Sequence, residues 1–175
     1  MELHIAKLGA NHPDTLTSMA NLASTYWNQG QWSKAEEIQE KVMEQSIAKL
    51  GANHPDTLRS MANLASTYSA QSRSSEAEEI RVKVMERSIA KLGADHPDTL
   101  TSMANLASTY WNQGRWSEAE EIEVKVMELR IAKLGEHHPH TLLSMVNLAE
   151  TYRSQGRFAD ASVLDLRFSS LEGGK

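Results

Sequence analysis

Apolar residues along the chain fall into two alternating patterns. In the first, Leu16, Met19, Leu22, Ala23 and Tyr26 keep the three- and four-residue steps of one buried helical face. This predicts an amphipathic helix, helix A, from about Pro13 to Asn28. Pro13 suits the first turn, Asp14 favours the positive end of the helix dipole, and Gln29-Gly30 supplies the break. In the second pattern, Ala35, Ile38, Val42, Met43, Ile47 and Leu50 predict a buried face for helix B, with Glu36, Glu37 and Glu44 exposed and Gly51 as its stop. A helix of roughly 18 residues spans about 27 Å. Ser33 and Glu36 have the spacing of a capping box, which returns at Ser75 and Glu78 and at Ser117 and Glu120. Trp32 and Trp116, just before the box, are placed to staple onto Ile38 and Ile122.

The patterns return together. Gly9, Gly51, Gly93 and Gly135 recur at a constant spacing of 42, with Leu-Gly-Ala-Asn-His-Pro-Asp-Thr-Leu at 8–16 and 50–58 and close variants at 92–100 and 134–142. The expectation is an all-α array over 1–171: a half helix B at 1–8, repeats at 9–50, 51–92, 93–134 and 135–171, and a tail at 172–175. Residues 1–8 align with Met43 to Leu50, so the array is expected to extend further N-terminally. The first and third repeats differ only at positions 11, 31, 34, 39, 40, 45 and 46 of the first, which implies recent duplication or deliberate concatenation. The fourth departs most, with Arg153, Phe158 and Ala159-Asp160 at the cap and Ala161, Leu164, Phe168 and Leu171 as its stripe. Its Val163 and Leu166 stand where the first repeat has Glu37 and Glu40; they read as a contact surface for a further segment or a second copy, or as scattered apolar residues.

Composition narrows the function classes. With 175 residues, 40% of them hydrophobic and 23% charged, the chain falls in the soluble range and is expected to be cytoplasmic. The absence of cysteine excludes disulfide frameworks, thiolate metal sites and cysteine nucleophiles. A net charge of -5 without a Lys or Arg run argues against nucleic acid, and no apolar stretch reaches about 18 residues, which argues against membrane insertion. His-Pro-Asp at 12, 54 and 96 also marks J-domains, but recurrence at the repeat pitch makes it a helix-start device. His12, His54, His96 and His138 should lie one repeat apart, too far to share a metal. His137, His138 and His140 cluster in one turn without a fourth ligand. No strained nucleophile and no Gly-rich phosphate cradle is present, so neither enzymatic activity nor a cofactor is expected.

Met19-x2-Leu22-Ala23-x2-Tyr26, followed by Ala35 and Pro55, resembles the tetratricopeptide repeat in relaxed form. Met and Ala replace its Trp and Gly, Gln39, Arg81 and Glu123 stand where an aromatic is usual, and helix B is eight residues longer. That longer form resembles the repeats of kinesin light chains, and more closely the C-terminal arrays of NB-ARC-type nucleotide-binding receptors. The resemblance implies a right-handed superhelical solenoid of helix-turn-helix repeats with helix A lining a concave groove. It also implies a protein-interaction scaffold for a partner's peptide or helix, in the sensing part of a larger receptor.

Residues 17, 21, 24 and 28 share a strip of helix A opposite its core stripe. Carried along the repeats, the candidate groove holds Thr17, Arg59, Thr101 and Leu143, then Asn21, Asn63, Asn105 and Asn147. An amide carries acceptor and donors, so such a row can hold a peptide backbone without reading its sequence; the alternative is that Asn stitches adjacent helices or rides along with duplication. Positions that differ would carry specificity: Ser24, Ser66, Ser108 and Glu150; Trp27, Ser69, Trp111 and Arg153; Asn28, Ala70, Asn112 and Ser154. Trp27 and Trp111 read equally as interface anchors or as packing residues. Arg59 and Arg153 against Glu150 leave the groove nearly neutral. The second class of function is structural: an array that stacks or self-associates through its terminal helices.

Overall fold

The computed structural model describes residues 12–173, whose secondary structure is entirely helical. They fall into two compact units that divide after Lys91. The first contains α1 (Pro13–Asn28), α2 (Trp32–Leu50), α3 (Pro55–Ala70) and, but for its last residue, α4 (Ser74–Leu92). The second contains α5 (Pro97–Asn112), α6 (Trp116–Leu134), α7 (Pro139–Ser154) and α8 (Phe158–Glu172). The predicted half helix at 1–8 lies outside the described residues.

Each helix A starts as the sequence predicts, with proline at its first position, and a further cap comes from histidine. His12, His54, His96 and His138 each turn Nδ1 onto the backbone N–H two residues on, at 3.2 Å, satisfying a donor that the helix leaves free. This occupies one ring nitrogen of His138, while Nδ1 of His137 lies 3.2 Å from the Leu171 carbonyl.

The start of helix B differs from the sequence reading. After a glycine at positive φ (Gly30, 71°; Gly114, 74°), the helix begins at Trp32 or Trp116, and its caps Gln31 and Arg115 make no side-chain cap bond. Ser33, Ser75 and Ser117 are therefore second helical residues rather than N-caps, and Trp32 and Trp116 belong to the helix they were expected to staple. Glu36 instead reaches the next hairpin, where it accepts from Gln71 Nε2 at 2.7 Å and from Arg73. Arg73 lies 4.0 Å over the Tyr68 ring and also pairs with Glu76. The second unit repeats the junction: Glu120 accepts from Gln155 at 2.9 Å and Arg157 at 2.7 Å, with Arg157 4.1 Å over Tyr152.

Within each unit, a helix A packs against its own helix B and the helix B before it. Leu64, Ala65 and Tyr68 of α3 meet Ala77 of α4, with Met43 of α2 against the same cluster. In the second unit Leu148 and Ala149 of α7 meet Ala161 and Leu164 of α8, with Val124 and Met127 of α6 alongside. The predicted helix A stripe is buried at Leu16, Met19 and Ala23, and half-buried at Leu22 and Tyr26. In helix B, Ala35 and Val42 are buried and Ile38 and Met43 half-buried, whereas Ile47 and Leu50 are exposed, because a 19-residue helix B outruns a 16-residue helix A. Gln39 and Ser46 are buried instead.

Where three repeats turn on glycine, the second turns on Ser72 at φ 63°. An L-residue there costs about 1 kcal/mol through the contact of Cβ with the backbone. Ser72→Gly should stabilise the chain by about that amount; an unchanged or lower midpoint in urea unfolding would contradict the strain.

Candidate functional site

The candidate face follows from the alternation in helix A: once Leu16, Met19 and Ala23 turn inward, Thr17, Asn21, Ser24 and Asn28 turn out, and all four are exposed. Asn63, Asn105 and Asn147 are exposed likewise, as are Arg59, Thr101, Ser108, Asn112, Leu143 and Glu150. Ser66, Trp111 and Arg153 are half-buried. Several of these polar groups have local partners. Thr17 and Thr101 hydroxyls donate to the carbonyls of Pro13 and Pro97, Asn112 Nδ2 donates to Ser108 O, Arg59 pairs with Asp56 at 2.8 Å, and Arg153 pairs with Glu150 and Asp165.

In the first unit this face is cleft rather than flat. A cleft of about 370 Å³ opens between α1 and α3, with Leu16, Thr17 and Ala20 on one wall and Arg59, Ser60 and Asn63 on the other. Gln39, Val42 and Ser46 of α2 form its floor. A second, of about 320 Å³, is lined by Ser24, Trp27 and Asn28 facing Asn63 and Ser66, again over Gln39. Seven of the predicted residues are thus brought together: Thr17, Ser24, Trp27, Asn28, Arg59, Asn63 and Ser66. Asn21 lines neither, because Ala20 occupies that edge. Trp27 is 40% exposed at the cleft edge, whereas the half-buried Trp111 has its indole N–H buried without a hydrogen bond.

The second unit carries the same cleft nearly closed, at about 10 Å³, lined by Ala104, Glu123, Val126, Arg130, Ser144 and Asn147. Each sits 84 residues after a lining residue of the first cleft, and only two differ in kind: Glu123 for Gln39 and Arg130 for Ser46. Arg130 is 5% exposed and spans the space, its NH1 2.8 Å from Ser144 Oγ and 3.0 Å from the His140 carbonyl. Burial lowers its pKa from the usual guanidinium value. Glu123 accepts from Thr151 Oγ1 at 2.6 Å, as Gln39 does from Thr67. Burial pushes the Glu123 carboxyl up, the Thr151 bond opposes this, and Glu120 adds to the rise.

The floor on helix B is what the sequence reading missed. Gln39, Arg81 and Glu123 were noted only as departures from an aromatic. The available signal was that two of the seven differences between the first and third repeats, at 39 and 46, fall seven residues apart on one helix face.

Helical hairpins whose helix A shares a core with the preceding helix B define a helical-repeat protein. Profiles of the tetratricopeptide repeat match residues 1–44 and 14–81, and a second such profile matches 99–140 and 141–167. The chain belongs to the tetratricopeptide repeat family. It is similar over 98% of its length, at 30% identity and a TM-score of 0.83, to the crystal structure of a protein of Podosopora anserina assigned as a kinesin light chain with nearly identical TPR-like repeats, 81% of which it covers. BtubC (BKLC) of P. vanneervenii shares the fold at 19% identity and a TM-score of 0.86, with 98% of this chain and 68% of that one covered. The apo form of RapI shares it at 12% identity and a TM-score of 0.82, with 97% and 60% covered. No curated protein matches.

Because Glu123 keeps its proton in the folded chain at a pH where the unfolded carboxyl has lost it, its contribution to stability falls as pH rises through that window. Glu123→Gln, the residue native to the first repeat, should be more stable than the parent at neutral pH, and the advantage should shrink as pH falls through the raised pKa toward the ordinary carboxylate range, where it is gone. Urea unfolding at neutral and acidic pH checks this; an advantage independent of pH would remove burial of the charge as its cause.

Proposed function

We propose that the chain is a protein-interaction module that takes a peptide or helix of a partner protein on the exposed face of helix A. The observation that carries the reading is the pair of clefts in the first unit, where amides and hydroxyls of Ser24, Asn28, Asn63 and Ser66 border apolar lining from Leu16, Ala20 and Val42. Ligand sites combine apolar lining with a few placed polar groups in this way. Asn63 and Asn147, each at the rim of a cleft, are the amides suited to backbone contact. Among the described residues no helix is long and apolar enough to cross a membrane. The family's use as scaffolds favours binding over catalysis, and an intracellular receptor in which this array is the sensing part fits the resemblance of its repeats.

A second reading, self-association, is favoured by α8, where Phe158, Val163 and Leu166 are 67%, 65% and 72% exposed. Val163 and Leu166 stand three residues apart on one face of the helix, and exposed apolar surface of this kind marks contact sites.

Affinity capture with the chain as bait, beside a variant with Asn21, Asn63, Asn105 and Asn147 changed to Ala, tests the first reading. A partner should be retained by the parent and lost by a variant of equal helicity; retention by both would refute the assignment of the face. For the second, light scattering of the parent should show mass rising with concentration, and Val163→Glu with Leu166→Glu should abolish the rise. A parent that stays monomeric excludes self-association.

A further inference from the structure

The molecule holds one cleft twice, filled in one unit and open in the other, and the filled copy shows what chemistry fits the open one. We infer that the first-unit cleft binds a guanidinium group, the arginine side chain of a partner peptide; this rests on the peptide-binding reading above.

In the second unit a guanidinium is already seated in the equivalent place. It enters from the floor, on Arg130, and donates from NH1 to a serine hydroxyl and to the carbonyl of the second residue of the neighbouring helix A. The first unit carries both acceptors at matching positions, Ser60 Oγ and the Asp56 carbonyl, on a helix entered through the same geometry. His54 has φ -72° and ψ 139°, and His138 has φ -69° and ψ 137°. Ser60 donates its proton to Thr57 O at 2.8 Å, so its oxygen lone pairs are available to accept, as those of Ser144 do. With Ser46 in place of arginine, the space stays open at about 370 Å³.

The two linings differ in their acidic groups. The second cleft has Glu123, whose carboxyl is held by Thr151; the first has neutral Gln39 but gains Asp56, where the second has His140. Asp56 is engaged by Arg59, in a pair whose side chains are 50% and 74% exposed. Such a pair is weak and readily exchanged for a guanidinium seated between carboxylate, carbonyl and hydroxyl. Lys49 and Arg59, also in the lining, oppose a cation, so removing Arg59 should tighten binding. With one nitrogen on the hydroxyl and the carbonyl, as in Arg130, a guanidinium keeps its other N–H groups in a fixed plane for the Asp56 carboxylate, a fork that a lysine ammonium lacks.

The test uses the full chain and four blocked pentapeptides that are glycine except at the centre, which is arginine, citrulline, lysine or leucine. Amide shifts in ¹H–¹⁵N spectra are followed up to about 10 mM peptide, above the millimolar affinity expected of one anchored side chain. The arginine peptide should shift the amides of Asp56, Ser60 and Asn63 saturably, and citrulline and lysine should bind at least about tenfold more weakly. Ser46→Arg, which imports the third repeat's residue, should abolish the shifts with helicity unchanged. Arg59→Ala should strengthen them, and Arg130→Ser should add a second set at Ser144 and Asn147. If citrulline or leucine peptides shift Asn63 as strongly, the guanidinium assignment fails while the peptide face stands. If no peptide shifts these amides, the assignment fails, and the capture experiment decides the peptide reading separately.

Discussion

No hairpin in this chain can bury its own apolar surface, and everything else in the structure answers to that constraint. Helix A is amphipathic, but its stripe is wide enough to need two helices B, its own and the preceding one, as Met43 against Leu64 and Tyr68 shows in the first unit. Helix B must consequently serve two neighbours. Its Ala35 and Val42 are buried, and its Glu36 is turned toward the next hairpin, where it meets Gln71 and Arg73. Stability in such an array is a sum of hairpin and junction terms, and the junction recurs almost atom for atom at Glu120, Gln155 and Arg157.

This division explains what was legible in the sequence. Helix A was readable to its end residues, because proline starts it, a polar pair ends it and one stripe dominates it. Helix B was readable in extent but less so in orientation. Ser33 and Glu36 have the spacing of a capping box, yet the turn at Gly30 starts the helix at Trp32 and hands Glu36 to a partner 37 residues away. Periodicity also placed Ile47 and Leu50 inside and passed over Gln39 and Ser46, which lie beneath the gap between successive helices A. A polar residue at such a position is hidden by packing that only the next repeat supplies.

The candidate face was legible in the same proportion. Its walls follow from the strip opposite the core, and Thr17, Ser24, Asn28, Arg59, Asn63 and Ser66 do line clefts. Its floor does not follow from helix A at all, and the depth of each cleft is set there by one side chain, serine or arginine, reaching up from helix B.

Near-identity of repeats carries its own difficulty. A ligand that meets equal sites at regular intervals has several equivalent registers, and it gains affinity by their number while losing definition of where it sits. Arg130 breaks that degeneracy with one side chain: Ala104, Val126, Ser144 and Asn147 repeat the lining of the first cleft, and the vacancy among them is removed. Duplication thus supplies the copies, and a single filled copy makes them unequal, so that an otherwise monotonous chain acquires an address.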